Sequence, residues 1–170
     1  GREETTTLTL ISQVRSSVDL PVMAAGGIAC GKSMLAAFAL GAEGVQVGTR
    51  FALTHESSAS NLFKERCVNL TEGDTILSLK KVSPTRLIKN EFYFQVKALE
   101  DKGGSAEEIR ELLGRGRARK GIFEGDLIEG ELEIGQVAST IGSIISAKQV
   151  IEEMISEFND VANEMSKMRF

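Results

Sequence analysis

The first third of the chain consists of short apolar runs separated by glycine. One run has the three- and four-residue spacing of a helix, and two others are short enough to be strands. A further run of Ala, Leu, Met and Phe is helical in composition, and Gly41 follows it in the position that ends a helix. The predicted order is a helix containing Leu10, Ile11, Val14 and Val18, a strand after Pro21, a helix over 32–40 and a strand over 45–47.

The two predicted strands and the helix between them form a strand-helix-strand unit. Parallel strands joined in this way end at the same edge of a sheet, so Gly26 and Gly27 should lie beside Gly48 and Thr49. Main-chain N–H groups and a threonine hydroxyl at such an edge would bind an anion of phosphate size. The alternative is that the glycines only allow tight turns.

Smaller elements are predicted in the middle of the chain. A helix is expected after either Ser57 or Ser58 as its N-cap. The segment 75–79 alternates weakly and is either an edge strand or an irregular lid segment. Ser105 and Glu108 have the spacing of a capping box at the start of another helix.

The end of the chain predicts a long amphipathic helix. Its apolar residues recur every three or four positions over about six turns, so one face should pack onto the rest of the fold or onto a partner. They are Ile151, Met154, Ile155, Phe158, Val161, Ala162 and Met165.

The composition is that of an ordinary globular protein. The chain has 170 residues and a net charge of -4, which argues against a nucleic-acid partner. The basic run at 115–120 is interpreted as a solvated or interface charge cluster rather than a site for a phosphate-rich ligand. Cys30 and Cys67 lack the spacing of a metal or redox pair, so we expect two free thiols, no metal site and a cytoplasmic location. We expect neither a membrane span nor a signal peptide, because no apolar run is long enough.

Two motifs resemble a known family. The sequences AAGGI at 24–28 and AEGVQVGTRF at 42–51 are similar to the last two βα units of the flavin-dependent TIM barrels that include the enoyl-acyl carrier protein (ACP) reductase II enzymes and the nitronate monooxygenases. Such a barrel takes about 250 residues, so the resemblance implies an α/β fold, the C-terminal part of a (β/α)8 TIM barrel with an appended small, mostly helical domain. The implied domains are the last βα units over 1–70, a small lid or substrate domain over 71–145, and a C-terminal helix over 146–170 that packs on the barrel or a partner.

In the family resembled, the two turns hold the phosphate of FMN. The resemblance therefore assigns cofactor binding to Gly26, Gly27, Gln46, Val47, Gly48 and Thr49. A Gly-Gln pair near the C-terminus lies close to the flavin ring in the family, which adds Gln136. The segment 83–92 is similar to the one that opens the small domain. The family's catalytic histidine would precede Gly1, so no catalytic residue is expected within this chain.

Four other side chains have competing interpretations. Gln46 lies in an apolar strand, where burying an unpaired amide costs about 1–3 kcal/mol, so we expect a backbone group or the flavin phosphate or ribityl oxygens to bond it. Arg50 is interpreted as a salt-bridge partner rather than a phosphate ligand. His55 lies in a polar loop and is expected to be exposed rather than catalytic. Cys30 is close to a helix start, and is interpreted as a small side chain rather than a redox group.

The resemblance implies an FMN-dependent oxidoreductase that reduces enoyl-ACP with NADH or NADPH in fatty acid synthesis. An alternative in the same family is a nitronate monooxygenase, which oxidises alkyl nitronates with O2. An alternative of another class is a non-catalytic phosphate-binding half-barrel or interaction fragment. The implied partners are the ACP-bound enoyl thioester, the N-terminal part of the same enzyme and a second copy in a homodimer, whereas no nucleic acid and no membrane are expected.

Overall fold

The structure is a computed structural model that describes residues 5–169. Its elements in chain order are α1 (Thr7–Arg15), β1 (Met23–Ala25), α2 (Gly31–Ala39), β2 (Gly44–Gln46), α3 (Thr49–Ala52), α4 (Asn61–Val68), β3 (Thr75–Ser78), β4 (Thr85–Ile88), α5 (Glu91–Asp101), α6 (Ala106–Leu113), a π-helical turn (Arg119–Phe123), a 3₁₀ turn (Gln136–Thr140) and α7 (Ala147–Met165). Within this described part of the chain, every helix is too short or too polar to cross a membrane.

The chain divides into two compact units. The parallel-strand unit consists of residues 5–56 and 145–169, and the central unit consists of residues 57–144. The three domains implied by the resemblance, with boundaries after residues 70 and 145, stay a prediction.

In the parallel-strand unit, β1 and β2 form a parallel pair, as the strand-helix-strand pattern predicts. The pairing is in register, with Met23 opposite Gly44 and Ala25 opposite Gln46. The connecting helix α2 begins at Gly31, one residue before the predicted start. Both strands are only three residues long, so the glycine turns follow directly on the paired ends.

The predicted end of α2 at Gly41 is confirmed. The Ala42 N–H donates to the Ala37 carbonyl at 3.1 Å, and the Gly41 N–H donates to the Phe38 carbonyl at 2.9 Å. These two bonds form a Schellman motif, in which the residue after the C-cap takes a left-handed conformation. Gly41 has a φ of +97°, which glycine adopts without strain.

Helix α7 packs against α2 and completes the core of this unit. The two backbones approach so closely at Gly31 that a Cβ there would lie 2.5 Å from the Met154 carbonyl oxygen. Further along, the Phe38 ring meets the Phe158 ring edge to face at a centroid distance of 5.7 Å. The buried core residues are Ile11, Ala24, Ile28, Ala37, Ala42, Val150 and Met154.

The central unit is built on an antiparallel pair, β3 and β4. This confirms the edge-strand interpretation of 75–79 against the lid segment. A third extended segment lies beside β4, because the Ile88 N–H donates to the Leu132 carbonyl at 2.9 Å and the Ile134 N–H donates to the Arg86 carbonyl at 3.2 Å. Strand and helix residues then share one core, formed by Leu79, Leu87, Phe92, Val96 and Ile109.

Two helix starts test the predicted caps. The capping box is confirmed, because the Glu108 N–H donates to Ser105 Oγ at 3.2 Å and the Ser105 N–H donates to a Glu108 carboxylate oxygen at 2.7 Å. The N-cap predicted at Ser57 or Ser58 is wrong. Helix α4 is capped by Ser60, whose Oγ accepts the Phe63 N–H at 3.2 Å. A cap must directly precede the first helical residue, and α4 begins later than the polar run suggested.

Candidate functional site

The candidate site is formed by the two turns that leave the paired ends of β1 and β2. Ala25 and Gln46 are the last partners in the parallel register, so Gly26 and Val47 continue from neighbouring strand ends. The predicted juxtaposition of the two turns at one sheet edge is therefore present within the parallel-strand unit. Both turns lead into helices, α2 and α3.

The turn after β1 depends on glycine. Gly26 has a φ of +100° and Gly27 a φ of +73°, which are left-handed conformations that side chains make costly. A Cβ at Gly27 would meet no atom within 4 Å, so the main chain here faces open space. The Thr7 hydroxyl donates to the Gly26 carbonyl at 2.9 Å, which ties the turn to the start of α1.

The turn after β2 is also open. Gly48 is exposed, and a Cβ added to it would meet no atom within 4 Å. It directly precedes Thr49, the first residue of the single-turn helix α3. The side chain of Val47 packs against the core, so only the main chain of this residue is available to a ligand.

Gln46 does not have the environment that the sequence argument assumed. It is exposed, because alternation along β2 puts its side chain on the face opposite that of Val45, which packs on the core. The expected cost of burying its amide therefore does not arise within the described residues. The role of Gln46 in cofactor binding stays a prediction that the resemblance carries.

Gln136 belongs to the central unit. It is exposed and begins the 3₁₀ turn, where its carbonyl accepts the Ser139 hydroxyl at 3.2 Å. Its predicted position near a flavin ring stays a prediction. The predicted position of Gly1 after the loop that carries the family's histidine lies outside the described residues.

Arg50 is buried, with 6% of its surface exposed. It lines a cavity of about 370 Å³ together with Cys30 and with Glu153 and Glu157 of α7. Burial lowers the pKa of the Arg50 guanidinium, and the negative charge of Glu153 acts in the opposite direction. This environment supports the predicted interaction with a carboxylate.

The remaining candidates have structural environments. His55 is exposed, as expected. Cys30 is the half-buried N-cap of α2, and its N–H donates to Ser33 Oγ at 3.2 Å. Cys67 is fully buried in the central unit, and this burial raises the pKa of its thiol to about 12. Both cysteines are free thiols.

The basic run at 115–120 is largely paired inside the central unit. Arg119 Nε lies 3.1 Å from a Glu124 carboxylate oxygen, and Lys120 Nζ lies 2.8 Å from one of Asp126. Arg117 is placed over the Phe92 ring at 4.5 Å, where it donates to main-chain carbonyls. These contacts favour the predicted charge cluster over a phosphate site.

Sequence reasoning missed the residues that support the two turns. No role beside the turns was predicted for Thr7, Gly31 or Glu153. The polar-apolar pattern of α7 places Glu153 beside the core residue Met154, but that pattern does not reveal which helix the neighbouring face meets.

Three comparisons with known proteins support the same family. The family model for nitronate monooxygenase matches residues 1–157. A probable nitronate monooxygenase from Staphylococcus saprophyticus is 32% identical over 92% of this chain and 44% of its own length. FabK from Thermotoga maritima is 38% identical with a TM-score of 0.89, over 96% of this chain and 52% of its own. Nitroalkane oxidase from Streptomyces ansochromogenes is 29% identical with a TM-score of 0.75, over 94% of this chain and 45% of its own.

These neighbours confirm the predicted fold class, an α/β fold that corresponds to the C-terminal part of a (β/α)8 barrel. The chain spans about half the length of the relatives that it matches.

Proposed function

Because the chain belongs to the nitronate monooxygenase family, we propose that it is part of an FMN-dependent oxidoreductase that reduces enoyl-ACP with NADH or NADPH. The observation that carries the proposal is the pair of open glycine turns at adjacent strand ends. In (β/α)8 barrels, phosphate groups are frequently bound by the loops after strands seven and eight.

The geometry of the turns fits a phosphate group. Gly27 and Gly48 leave open the space that a Cβ would fill, so main-chain N–H groups can approach a ligand there. The Thr49 hydroxyl offers a further hydrogen bond, and Thr7 holds the first turn in place. The proposed cofactor residues are Gly26, Gly27, Gln46, Val47, Gly48 and Thr49, with Gln136 near the ring.

Bound FMN would supply the transfer of two electrons between a nicotinamide and the carbon-carbon double bond of an enoyl thioester. The residues of this chain bind and orient: they fix the phosphate end, and thereby the place of the ring relative to both substrates. The overall reaction is a reduction: NADH and one proton are consumed, the enoyl thioester becomes the saturated thioester, and NADH becomes NAD⁺.

Three partners belong to the proposal. The first is the N-terminal part of the same enzyme, because large apolar side chains around α1 and β1 are exposed, including Leu20 at 69% and Met23 at 63%. The others are the ACP-bound substrate and a second copy in a homodimer. We also place the protein in the cytoplasm, where its two free thiols would stay reduced.

Nitronate monooxygenase is the second candidate function. It is favoured by the family model and by the curated relatives, whereas the reductase is favoured by the 38% identity to FabK. A non-catalytic phosphate-binding fragment is the candidate of another class.

The test uses purified protein of the same length as its relatives, and compares its turnover of two substrates. We expect a flavin absorption band near 450 nm, and oxidation of NADH or NADPH that depends on crotonyl thioester. Turnover of propane nitronate with O2 but not of the thioester would replace the reductase with the monooxygenase. A folded protein that takes up no flavin would instead support the non-catalytic fragment.

A further inference from the structure

The start of helix α1 contacts the first glycine turn directly. The Thr7 hydroxyl donates to the Gly26 carbonyl oxygen at 2.9 Å. A Cβ added to Gly26 would lie 3.2 Å from the same threonine oxygen, so the two residues approach closely. Ile11, one helical turn after Thr7, is buried in the same core as Ala24 of β1. Packing in the core therefore holds Thr7 beside the end of the strand.

The hydrogen bond from Thr7 determines how the next peptide group is oriented. The peptide between Gly26 and Gly27 is trans, and a planar trans peptide directs its carbonyl and its N–H to opposite sides. Because the Gly26 carbonyl is turned towards α1, the Gly27 N–H points away from α1. Within residues 5–169 this N–H has no acceptor, and a Cβ on Gly27 would meet no atom within 4 Å. The N–H is therefore available to a ligand in the open space of the turn.

This peptide group has little intrinsic resistance to rotation. Gly26 and Gly27 have φ values of +100° and +73°, and glycine adopts positive and negative φ with similar ease. If the peptide plane turned over, it would present the Gly26 carbonyl oxygen to the ligand in place of the Gly27 N–H. A carbonyl oxygen repels a phosphate, whereas a main-chain N–H binds it. The orientation of one peptide thus decides whether the turn attracts an anion.

We propose that Thr7 is a positioning residue, whose hydroxyl holds the Gly26–Gly27 peptide with its N–H directed at the phosphate of FMN. This inference rests on the proposed function, because it identifies a residue that orients a donor of the same site. Thr7 acts through the Gly26 carbonyl, which uses its hydroxyl proton. The neighbouring threonines do not share this role, since the Thr6 and Thr9 hydroxyl oxygens lie 3.2 Å from each other on the exposed surface.

The experiment measures the affinities of FMN and riboflavin for the purified protein, at the length of its relatives, by quenching of flavin fluorescence. Thr7→Val removes the hydroxyl and keeps the branched shape of the side chain. We expect this variant to bind FMN about fivefold more weakly, which is the size of one neutral hydrogen bond. Riboflavin lacks the phosphate, so its binding should not change. Thr7→Ser keeps a hydroxyl and should retain most of the FMN affinity.

The matched control is Thr9→Val, the same substitution two positions later in α1. Thr9 is exposed, and its replacement changes the helix propensity by the same amount. We expect this variant to bind FMN as the unchanged protein does. Equal weakening of FMN and riboflavin by Thr7→Val would overturn the inference, because that result indicates general damage to the fold. Unchanged FMN affinity in Thr7→Val, or a loss in Thr7→Ser as large as that in Thr7→Val, would overturn it as well.

A measurement without cofactor separates this inference from the proposed function. The Ala29 and Cys30 N–H groups, which follow the turn, donate to Ser33 Oγ, so their hydrogen exchange reports movement of the turn. In the apo protein, Thr7→Val should increase exchange in peptides that cover 24–30 and leave α5 of the central unit unchanged. If the unchanged protein does not bind FMN, the proposed function fails, and the exchange data still test whether Thr7 holds the turn. Unchanged exchange at 24–30 would refute that role.

Discussion

The central unit and the parallel-strand unit differ in how completely the strands of each are paired with neighbouring strands of the same unit. In the central unit, β4 has β3 on one side and the segment 132–134 on the other, over a core with Phe92 at 0% exposure. In the parallel-strand unit, β1 and β2 pair with each other alone among the described residues, and Met23 of β1 is exposed. A two-stranded parallel sheet is not stable by itself in water.

This difference indicates that the two units have different roles, one in stability and the other in binding. The central unit derives its stability from side chains packed around its own sheet. The parallel-strand unit provides the main chain of two open turns, and relies on helix α7 from the end of the sequence to hold them. Substitutions should therefore affect the central unit through its core volume, and the parallel-strand unit through helix contacts beside the turns.

The largest effect is expected from Phe92→Ala in the central unit. The Phe92 ring is fully buried and lies under the Arg117 guanidinium at 4.5 Å. Removing it should lower the free energy of unfolding by about 3–5 kcal/mol, because a cavity forms and the cation–π contact is lost. Denaturation followed by circular dichroism measures the loss. The control is Phe94→Ala, because Phe94 lies two residues further along α5 and is half exposed. An equal loss of stability in this variant would contradict the importance of the buried core.

A smaller effect is expected from Gly31→Ala in the parallel-strand unit. The new methyl group would lie 2.5 Å from the Met154 carbonyl oxygen and 2.8 Å from the Glu157 carbonyl carbon, so α2 and α7 must separate. Overpacking of this kind costs about 1–3 kcal/mol. Gly142→Ala is the matched control, since a Cβ there meets no atom within 4 Å. If both variants unfold at the same denaturant concentration, the close approach of the helices is not needed for stability.

The local elements of this fold could be predicted because they depend on neighbours in sequence. Gly41 ends α2, and Ser105 with Glu108 starts α6, through contacts that span at most five residues. The strand-helix-strand pattern also predicted that the two turns lie at one sheet edge. The contact of α7 with α2 joins residues more than a hundred positions apart, and the extended segment 132–134 pairs with β4 across more than forty. Periodicity reveals an apolar face but not its partner, so neither could be predicted.

The environment of Gln46 could not be predicted for a related reason. An apolar strand of three residues has too few positions to show which face is buried. Its amide is exposed, so the burial argument for a ligand was wrong even though the turn beside it is open. Arg50 is the opposite case, a charged residue next to the turn that is buried beside a carboxylate.

The smallest effect is expected from the buried thiol of Cys67, which makes the free energy of unfolding depend on pH. Burial raises the pKa of Cys67 in the central unit from 9.0 to about 12. The folded protein therefore keeps this proton between pH 9 and 12, whereas the unfolded chain loses it. The contribution to stability is complete below pH 9 and is lost as the pH rises towards 12, by about 1 kcal/mol at pH 10. We expect the free energy of unfolding to fall more steeply above pH 9 in the unchanged protein than in Cys67→Ala.

The two thiols should also differ in their reaction with Ellman's reagent at pH 8. The reagent should label half-buried Cys30 in the native protein and reach Cys67 only after unfolding. Rapid native labelling of both thiols would show that the central core opens as readily as the parallel-strand unit.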